Sequence, residues 1–210
     1  MARRERIDII HAHWIIPQGI AGAVLRLLLP RIRMVVTAHG GDAYAFNGRA
    51  GRMTKKFVLG RADAVTAVSS QLCNDIQRDL APARAPVVAP MGIDLARFGV
   101  APVPRQRRFC FVGRLVEKKG VTDLLQAYAR ARALARDDRF PSLLLVGDGP
   151  LRNETMATIR QLGVGEAVTL TGWIDPLQVP AIMAGSLAVV VPSVVARDGD
   201  REGLGLVAVE

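Results

Sequence analysis

Residues 188–210 read AVVVPSVVARDGDREGLGLVAVE, and the fold turns on how this stretch is read. Leu187 to Val191 is a continuous apolar run, the signature of a strand buried on both faces. Pro192 and Ser193 end it. A polar loop follows, then Glu202, the turn Gly203-Leu204-Gly205, and an apolar segment closing on Glu210. If Gly205 opens a helix, Glu210 lies in its second turn and Glu202 in the loop before it. Both carboxylates then face a crevice beyond the carboxyl end of a strand, where open α/β sheets bind ligands. Carboxylates so placed accept hydrogen bonds from hydroxyls. Two unrelated surface glutamates would look the same in isolation, because exposed Glu is common. The rest of the chain has to discriminate.

Outward from this stretch, strands and helices alternate. Short apolar strands are expected at Ile7–Ala12, Met34–Ala38, Ala64–Val68, Val87–Ala89, Phe109–Val112, Leu143–Val146 and Val168–Thr171. Helical spacing falls between them. Pro17–Leu29 carries small residues (Gly19, Ala21, Gly22) that permit close packing on a sheet. Arg52–Leu59 is basic, Ser69 caps a helix running to about Leu80, and Gly120–Arg136 is long and amphipathic. Leu151–Leu162 and Leu177–Met183 complete the set. Such alternation implies parallel sheets with right-handed crossovers. The Pro- and Arg-rich segment from Val100 to Arg107 reads as a linker, dividing a lobe over 1–99 from one over 108–210.

Composition narrows the function. With 28 Lys and Arg against 19 Asp and Glu, the net charge of +9 favours an anionic partner such as a nucleotide, a lipid surface or a nucleic acid. The basic residues are dispersed and not interleaved with aromatics, which argues against a base-stacking nucleic-acid surface. Cys73 and Cys110 are too few and too far apart for a metal knuckle or a disulfide framework, so a reducing cytoplasmic setting fits. Gly19–Leu29 is broken by Arg26 and stopped by Pro30, so it is no membrane span. Met1–Arg6 is charged and leads into a strand, unlike a signal-peptide core.

Several clusters carry chemistry. Gly113-Arg114 and Lys119-Gly120 bracket a strand-to-helix loop, where a phosphate meets a helix N-terminus and two cations together; a solvated basic loop is the plain alternative. Lys118 reads as solvent-facing. In Gly147-Asp148-Gly149-Pro150 the Asp is as readily a turn residue as a ligand contact. His39 follows a strand and precedes two glycines that let the backbone approach a ligand. His11 and His13 are evenly balanced between ligand and structural roles, and Trp14 reads as a packing residue. Asp198-Gly199-Asp200 has the spacing of a metal-holding D-x-D pair but sits in a polar loop among Arg197 and Arg201. No metal site is expected, either there or at the three histidines. Neither a nucleophile triad nor a Walker pattern is present.

Taken in order, PMGIDLARF (90–98), FVGRLVEKKG (111–120), LLLVGDGP (143–150), TLTGW (169–173) and VVPSVVARDGDREGLGLVAVE (190–210) resemble the retaining glycosyltransferases of family 4. Those enzymes have the GT-B fold, two Rossmann-like parallel-sheet lobes. IIHAHW (9–14), TAHGGD (37–42) and ADAVTAVS (62–69) are similar to the N-terminal, acceptor-side lobe of that family. The resemblance implies that Glu202 contacts the donor sugar and Glu210 the ribose hydroxyls. By the same resemblance, Arg114 and Lys119 grip the diphosphate, and Gly203, Leu204 and Gly205 offer backbone N–H groups. Gly172 and Trp173 then hold the base, and His39 lies near the donor sugar. The donor is a nucleotide-diphosphate sugar, no metal or other cofactor is required, and the acceptor is a glycan or a lipid-linked sugar, as in polysaccharide biosynthesis.

Relative to that family, the chain opens at a later strand and stops on the second glutamate. It therefore reads as an internal fragment of two incomplete lobes, expected to be poorly soluble and inactive alone. The basic helix Arg52–Leu59 hints at peripheral contact with an anionic membrane. Two other functions compete: a non-catalytic basic module binding anionic lipid or nucleic acid, and a GT-B sugar-nucleotide epimerase or hydrolase.

Overall fold

The computed structural model describes residues 7–99, 103–135 and 139–210. Met1–Arg6, the first part of the expected linker (100–102) and Arg136 at the end of the expected long helix lie outside the described residues. The chain divides into two compact units. One takes the chain up to Met91 together with Asp198–Leu204; the other takes Gly92–Arg197 and Gly205–Glu210.

In the first unit, β1 (Ile9–His13), β2 (Arg33–Ala38), β3 (Ala64–Ala67) and β4 (Val87–Val88) form one parallel sheet in that order. The crossovers are α1 (Gln18–Leu28), then α2 (Gly41–Tyr44) with α3 (Arg49–Arg61), then α4 (Ser70–Leu80). Small residues explain how closely α1 sits. A Cβ on Gly19 would fall 2.7 Å from Val58 of α3, and one on Gly22 would fall 2.8 Å from the Met34 methyl of β2. Ala21 points outward and Ala23 inward. The core gathers Met34, Val36, Val58, Val65, Leu72 and Ile76, each essentially fully buried. Burying side chains of this size stabilises by roughly 1.5–3 kcal/mol apiece. Ser69 caps α4, its Oγ accepting from the Leu72 N–H at 3.3 Å. The apolar run Ile7–Ala12 reads as a buried strand, but among the described residues β1 is an edge strand, and Ile9 is 60% exposed.

The second unit begins with α5 (Leu95–Phe98) and repeats the plan with β5 (Arg108–Val112), α6 (Val121–Leu134), β6 (Ser142–Val146), α7 (Arg152–Gln161), β7 (Val168–Gly172), α8 (Val179–Ala184) and β8 (Ala188–Val189). All pairings are parallel and the strand order is β7-β6-β5-β8. Phe111, Leu115, Leu125, Leu143 and Leu145 fill its core. From β5 the winding runs outward to β7, and the chain then returns to place β8 on the other side of β5. Connections therefore diverge between β5 and β8, the kind of switch point that opens a crevice at the carboxyl ends of the strands.

Two expectations for the closing stretch need correction. By its sequence, the run Leu187–Val191 reads as a strand buried on both faces. Only Ala188 and Val189 pair, on β5 alone, and Leu187 and Val191 are 43% and 39% exposed. Among the described residues β8 is the edge of its sheet, so an apolar run does not here mean burial on both faces. Past Gly205 a 3₁₀ turn, Leu206–Ala208, stands where an α-helix was expected. Its last backbone bond, from Glu210 N–H to the Leu206 carbonyl at 2.9 Å, is nevertheless of the α-helical type.

Candidate functional site

In the second unit the residues expected to grip a diphosphate lie at the carboxyl end of β5, beside the switch point. Gly113 and Arg114 leave the strand, a 3₁₀ turn covers Glu117–Lys119, and Gly120 hands over to α6 with φ +66°. Gly120 is required there twice over. Its φ is left-handed, and a Cβ would lie 2.0 Å from the Pro192 carbonyl oxygen. The loop is thus pressed onto the segment that leaves β8. The contact is reinforced by Val194 N–H donating to the Lys118 carbonyl at 2.9 Å and Arg197 N–H to Glu117 Oε1 at 3.1 Å.

The strand exits on the other side are drawn in equally tightly. A Cβ on Gly147 (φ +134°) would meet the Gly113 carbonyl oxygen at 2.0 Å. Gly147 N–H donates to Gly172 O at 3.0 Å. The result is a depression of about 370 Å³ over the ends of β5, β6 and β7 whose lining includes Arg114, Asp148, Trp173 and Ile174. Arg114 is exposed and, among the described residues, its guanidinium makes no hydrogen bond or ion pair. Trp173 offers its ring with 73% exposure. Arg114 and Trp173, some sixty positions apart in the chain, therefore share one concave surface. Asp148 is a turn residue: Oδ1 accepts from Gly149 N–H at 2.7 Å and Oδ2 faces Arg152 at 3.3 Å. Glu210, exposed, lines a different and mostly apolar hollow with Phe98, Met183, Val189 and Val207.

In the first unit the expected residues are His39, Glu202, Gly203 and Leu204. The strap Asp198–Leu204 lies on the turn after β2. A Cβ on Gly203 would sit 2.1 Å from the His39 carbonyl oxygen, and one on Gly40 would sit 2.7 Å from Gly203 Cα. Ser69 Oγ donates to the Gly203 carbonyl at 2.8 Å, so the cap of α4 also pins the strap. Leu204 packs against the core of this unit. The D-x-D candidate is a local turn, Asp198 Oδ1 accepting from Asp200 N–H at 2.9 Å with Gly199 at φ +84°.

The three histidines do come together. His13 Nδ1 and His39 Nε2 are hydrogen-bonded at 3.0 Å, the His11 and His13 rings lie 4.3 Å apart, and His11 Nε2 bonds Thr37 Oγ1 at 2.7 Å. Trp14 is 44% exposed and stacks toward His39 at 6.3 Å, so it is not the packing residue expected. Burial lowers the His39 pKa below its ordinary value against the pull of Asp42, and neighbouring His13 and His11 add to the lowering. Burial and His13 likewise lower His11. The lowered values favour the neutral imidazole at His39 and His11, a form able to accept as well as donate. Asp42 fixes the turn: its carboxylate accepts from Ile15, His39 and Gly40 N–H groups at 2.7, 2.9 and 3.0 Å. Among the described residues no group of three His, Cys, Asp or Glu is arranged to hold a metal.

Residues 1–97 match Glycosyltransferase Family 4, and residues 93–210 match Glycosyl transferases group 1. The chain belongs to the group 1 glycosyltransferases. Its two parallel-sheet lobes are of the GT-B type. A 2-deoxystreptamine glucosyltransferase of Streptomyces kanamyceticus is 29% identical over 170 residues, covering 74% of this chain and 42% of the relative. An uncharacterized glycosyltransferase of Methanocaldococcus jannaschii is 29% identical over 215 residues, covering 98% of this chain and 53% of the relative. Among solved structures, HepE of Anabaena in complex with UDP superposes with a TM-score of 0.77 at 20% identity, over 98% of this chain and 57% of that one. The group 1 chain thus spans about half the length of the curated relatives it matches.

One set of residues escaped the sequence reading. Asp75, on α4, is 2% exposed and accepts from Tyr44 Oη at 2.8 Å and Gln71 Nε2 at 3.1 Å. It is also paired with Arg78 at 3.0 Å and Arg201 at 3.1 Å. The signal was there: Asp75 follows Leu72 by three positions and precedes Ile76, which puts a carboxylate on the inward stripe of an amphipathic helix.

Proposed function

We propose that this protein transfers a sugar from a nucleotide-diphosphate donor to a glycan or lipid-linked acceptor, with retention of anomeric configuration. The unit built on β5–β8 serves the donor and the unit built on β1–β4 the acceptor. The observation that carries the reading is the shared concavity of Arg114 and Trp173 at the carboxyl ends of β5–β7, next to the β5/β8 switch point. In this reading Trp173 and Gly172 take the base, while Arg114 and Lys119 take the diphosphate. Gly203, Leu204 and Gly205 direct N–H groups toward the donor, and Glu202 and Glu210 accept from sugar and ribose hydroxyls. Breaking the sugar–phosphate bond loads negative charge onto the leaving diphosphate. In this reading a guanidinium fork and an ammonium stabilise that charge as it develops, each by about 3 kcal/mol when well placed. No metal is needed in this scheme. Neutral His39 accepts from, or donates to, a sugar hydroxyl beside Glu202.

The acceptor side has a further feature. Helix α3 exposes Met53 (71%) and Phe57 (40%) among Arg49, Arg52 and Lys56, a face suited to the interfacial zone of an acidic membrane leaflet. Lys55, counted in the basic stretch, takes no part: it is fully buried and its ammonium donates to the Ala43 and Ala45 carbonyls. Among the described residues no helix is long and apolar enough to cross a membrane. Peripheral work at the cytoplasmic leaflet is the setting proposed.

The test is a transfer assay with UDP- and GDP-sugars and a lipid-linked glycan fraction, the product's anomeric proton read by NMR. Acceptor-dependent product with the donor's configuration supports the proposal. Product without acceptor would indicate an epimerase or hydrolase, and inverted product would remove retention.

A further inference from the structure

We propose that Asp75 is a positioning residue: it holds Glu202 in register for the donor sugar by clasping Arg201. This rests on the reading that Glu202 contacts the donor. The strap Asp198–Leu204 is fastened on both sides of Glu202. On the upstream side, Arg201 reaches the buried Asp75 carboxylate at 3.1 Å, and its guanidinium carbon lies 4.2 Å above the Tyr44 ring. That ring is itself tied to Asp75 through its hydroxyl at 2.8 Å. On the downstream side, Gly203 is seated on His39 and Gly40 and bonded to Ser69 Oγ at 2.8 Å. With its neighbours fixed on either hand, Glu202 keeps little backbone freedom, and its Oε2 is buried.

The energetics favour a specific function for this clasp. Burying a carboxylate at 2% exposure costs several kcal/mol unless it is fully paired. Two of its four partners, Tyr44 and Gln71, are neutral, Arg78 is largely exposed, and Arg201 is the cation that comes from the strap. A stacked, paired guanidinium is directional in a way an ammonium is not. The clasp therefore sets the orientation of the strap as well as its attachment, and a site must be held to fractions of an ångström to act well.

The experiment compares titration calorimetry of UDP with UDP-glucose, and of GDP with GDP-mannose, in the unaltered protein, Glu202→Gln, Asp75→Asn, Arg201→Ala and Arg201→Lys. The Kd of each diphosphate divided by that of its sugar isolates the sugar's share of binding. Glu202→Gln, Asp75→Asn and Arg201→Ala are each expected to cut that ratio by about tenfold while leaving the diphosphate Kd within about twofold, the size of one charge-assisted hydrogen bond. Arg201→Lys should recover part of it. In parallel, amide exchange should quicken across 199–204 in Asp75→Asn but not in β2 or β5. If Glu202→Gln cuts the ratio and Asp75→Asn and Arg201→Ala do not, the clasp is refuted and the donor reading survives. If Glu202→Gln itself leaves the ratio unchanged, the donor reading fails and takes this role of Asp75 with it. Should Asp75→Asn lose protection throughout the first unit, Arg201→Ala, altered only on the strap, decides alone.

Discussion

Gly203 has no room for a side chain, because a Cβ there would lie 2.1 Å from the His39 carbonyl oxygen and 2.9 Å from Gly40 Cα. Both neighbours are backbone and cannot swing away. Gly203→Ala should therefore lift the strap, with transfer activity falling at least tenfold while the circular dichroism stays that of the parent. Activity and spectrum measured together check this. The histidines give a second prediction. His39 and His11 have pKa values held below the ordinary 6.5 by burial and by their histidine neighbours. Below about pH 6.5 the unfolded chain binds protons that the folded one refuses, so stability is fully present above that pH and is lost as the pH falls through it. Against the cost of burial, Asp63 is held below the ordinary carboxylate value of 3.8 by the Met34 N–H, Arg33 and Arg26, and Asp75 by Tyr44, Gln71, Arg201 and Arg78, so both lose their contribution only in stronger acid. Urea midpoints taken at pH 7.5 and 5.5 should show the first unit weakening, and His39→Gln should flatten the difference.

At the scale of elements, α4 serves both core and strap. Ser69 stops the helix N-terminus from fraying and also donates to the Gly203 carbonyl at 2.8 Å. Ser69→Ala is expected to cost about 1 kcal/mol of stability, the usual worth of a cap, and to loosen the strap as well. Denaturant titration reads the first effect and amide exchange over 199–204 the second. The core of the second unit is more demanding. Leu145→Ala on β6, at a residue with no exposure, should cost 2–5 kcal/mol. How far the elements were legible follows from the same physics. Alternating apolar runs and caps placed nearly all of them, since periodicity reports which face is buried. Sequence did not say which strands stand at an edge. Ile9 and Leu187 look as apolar as Leu145, and only sheet order tells them apart. The inward place of Asp75 on α4 is legible, but its pairing with Arg201 is not, for a related reason. Their partnership links positions far apart in the chain, and no local pattern reports a pairing of that range.

Among the described residues, two sheets of four parallel strands each carry loops at their carboxyl ends, and His39, Arg114 and Trp173 lie on those loops. The glycines of those loops were readable because close backbone approach leaves no alternative residue. Gly120, Gly147 and Gly203 each stand where a Cβ would fall about 2 Å from a carbonyl oxygen. The excess of 28 basic over 19 acidic side chains adds a long-range field that draws anions. Such a field alone would also suit a basic module on lipid or nucleic acid. The two readings separate at Arg114. The most direct measurement is the thermal unfolding of the protein with and without millimolar UDP, GDP or ADP, in parallel with Arg114→Ala. At least one diphosphate is expected to raise Tm by several degrees, and Arg114→Ala to abolish the rise without lowering the Tm of the unliganded protein. An undiminished rise in Arg114→Ala, or salt-sensitive binding to anionic vesicles as the only interaction found, would contradict this expectation.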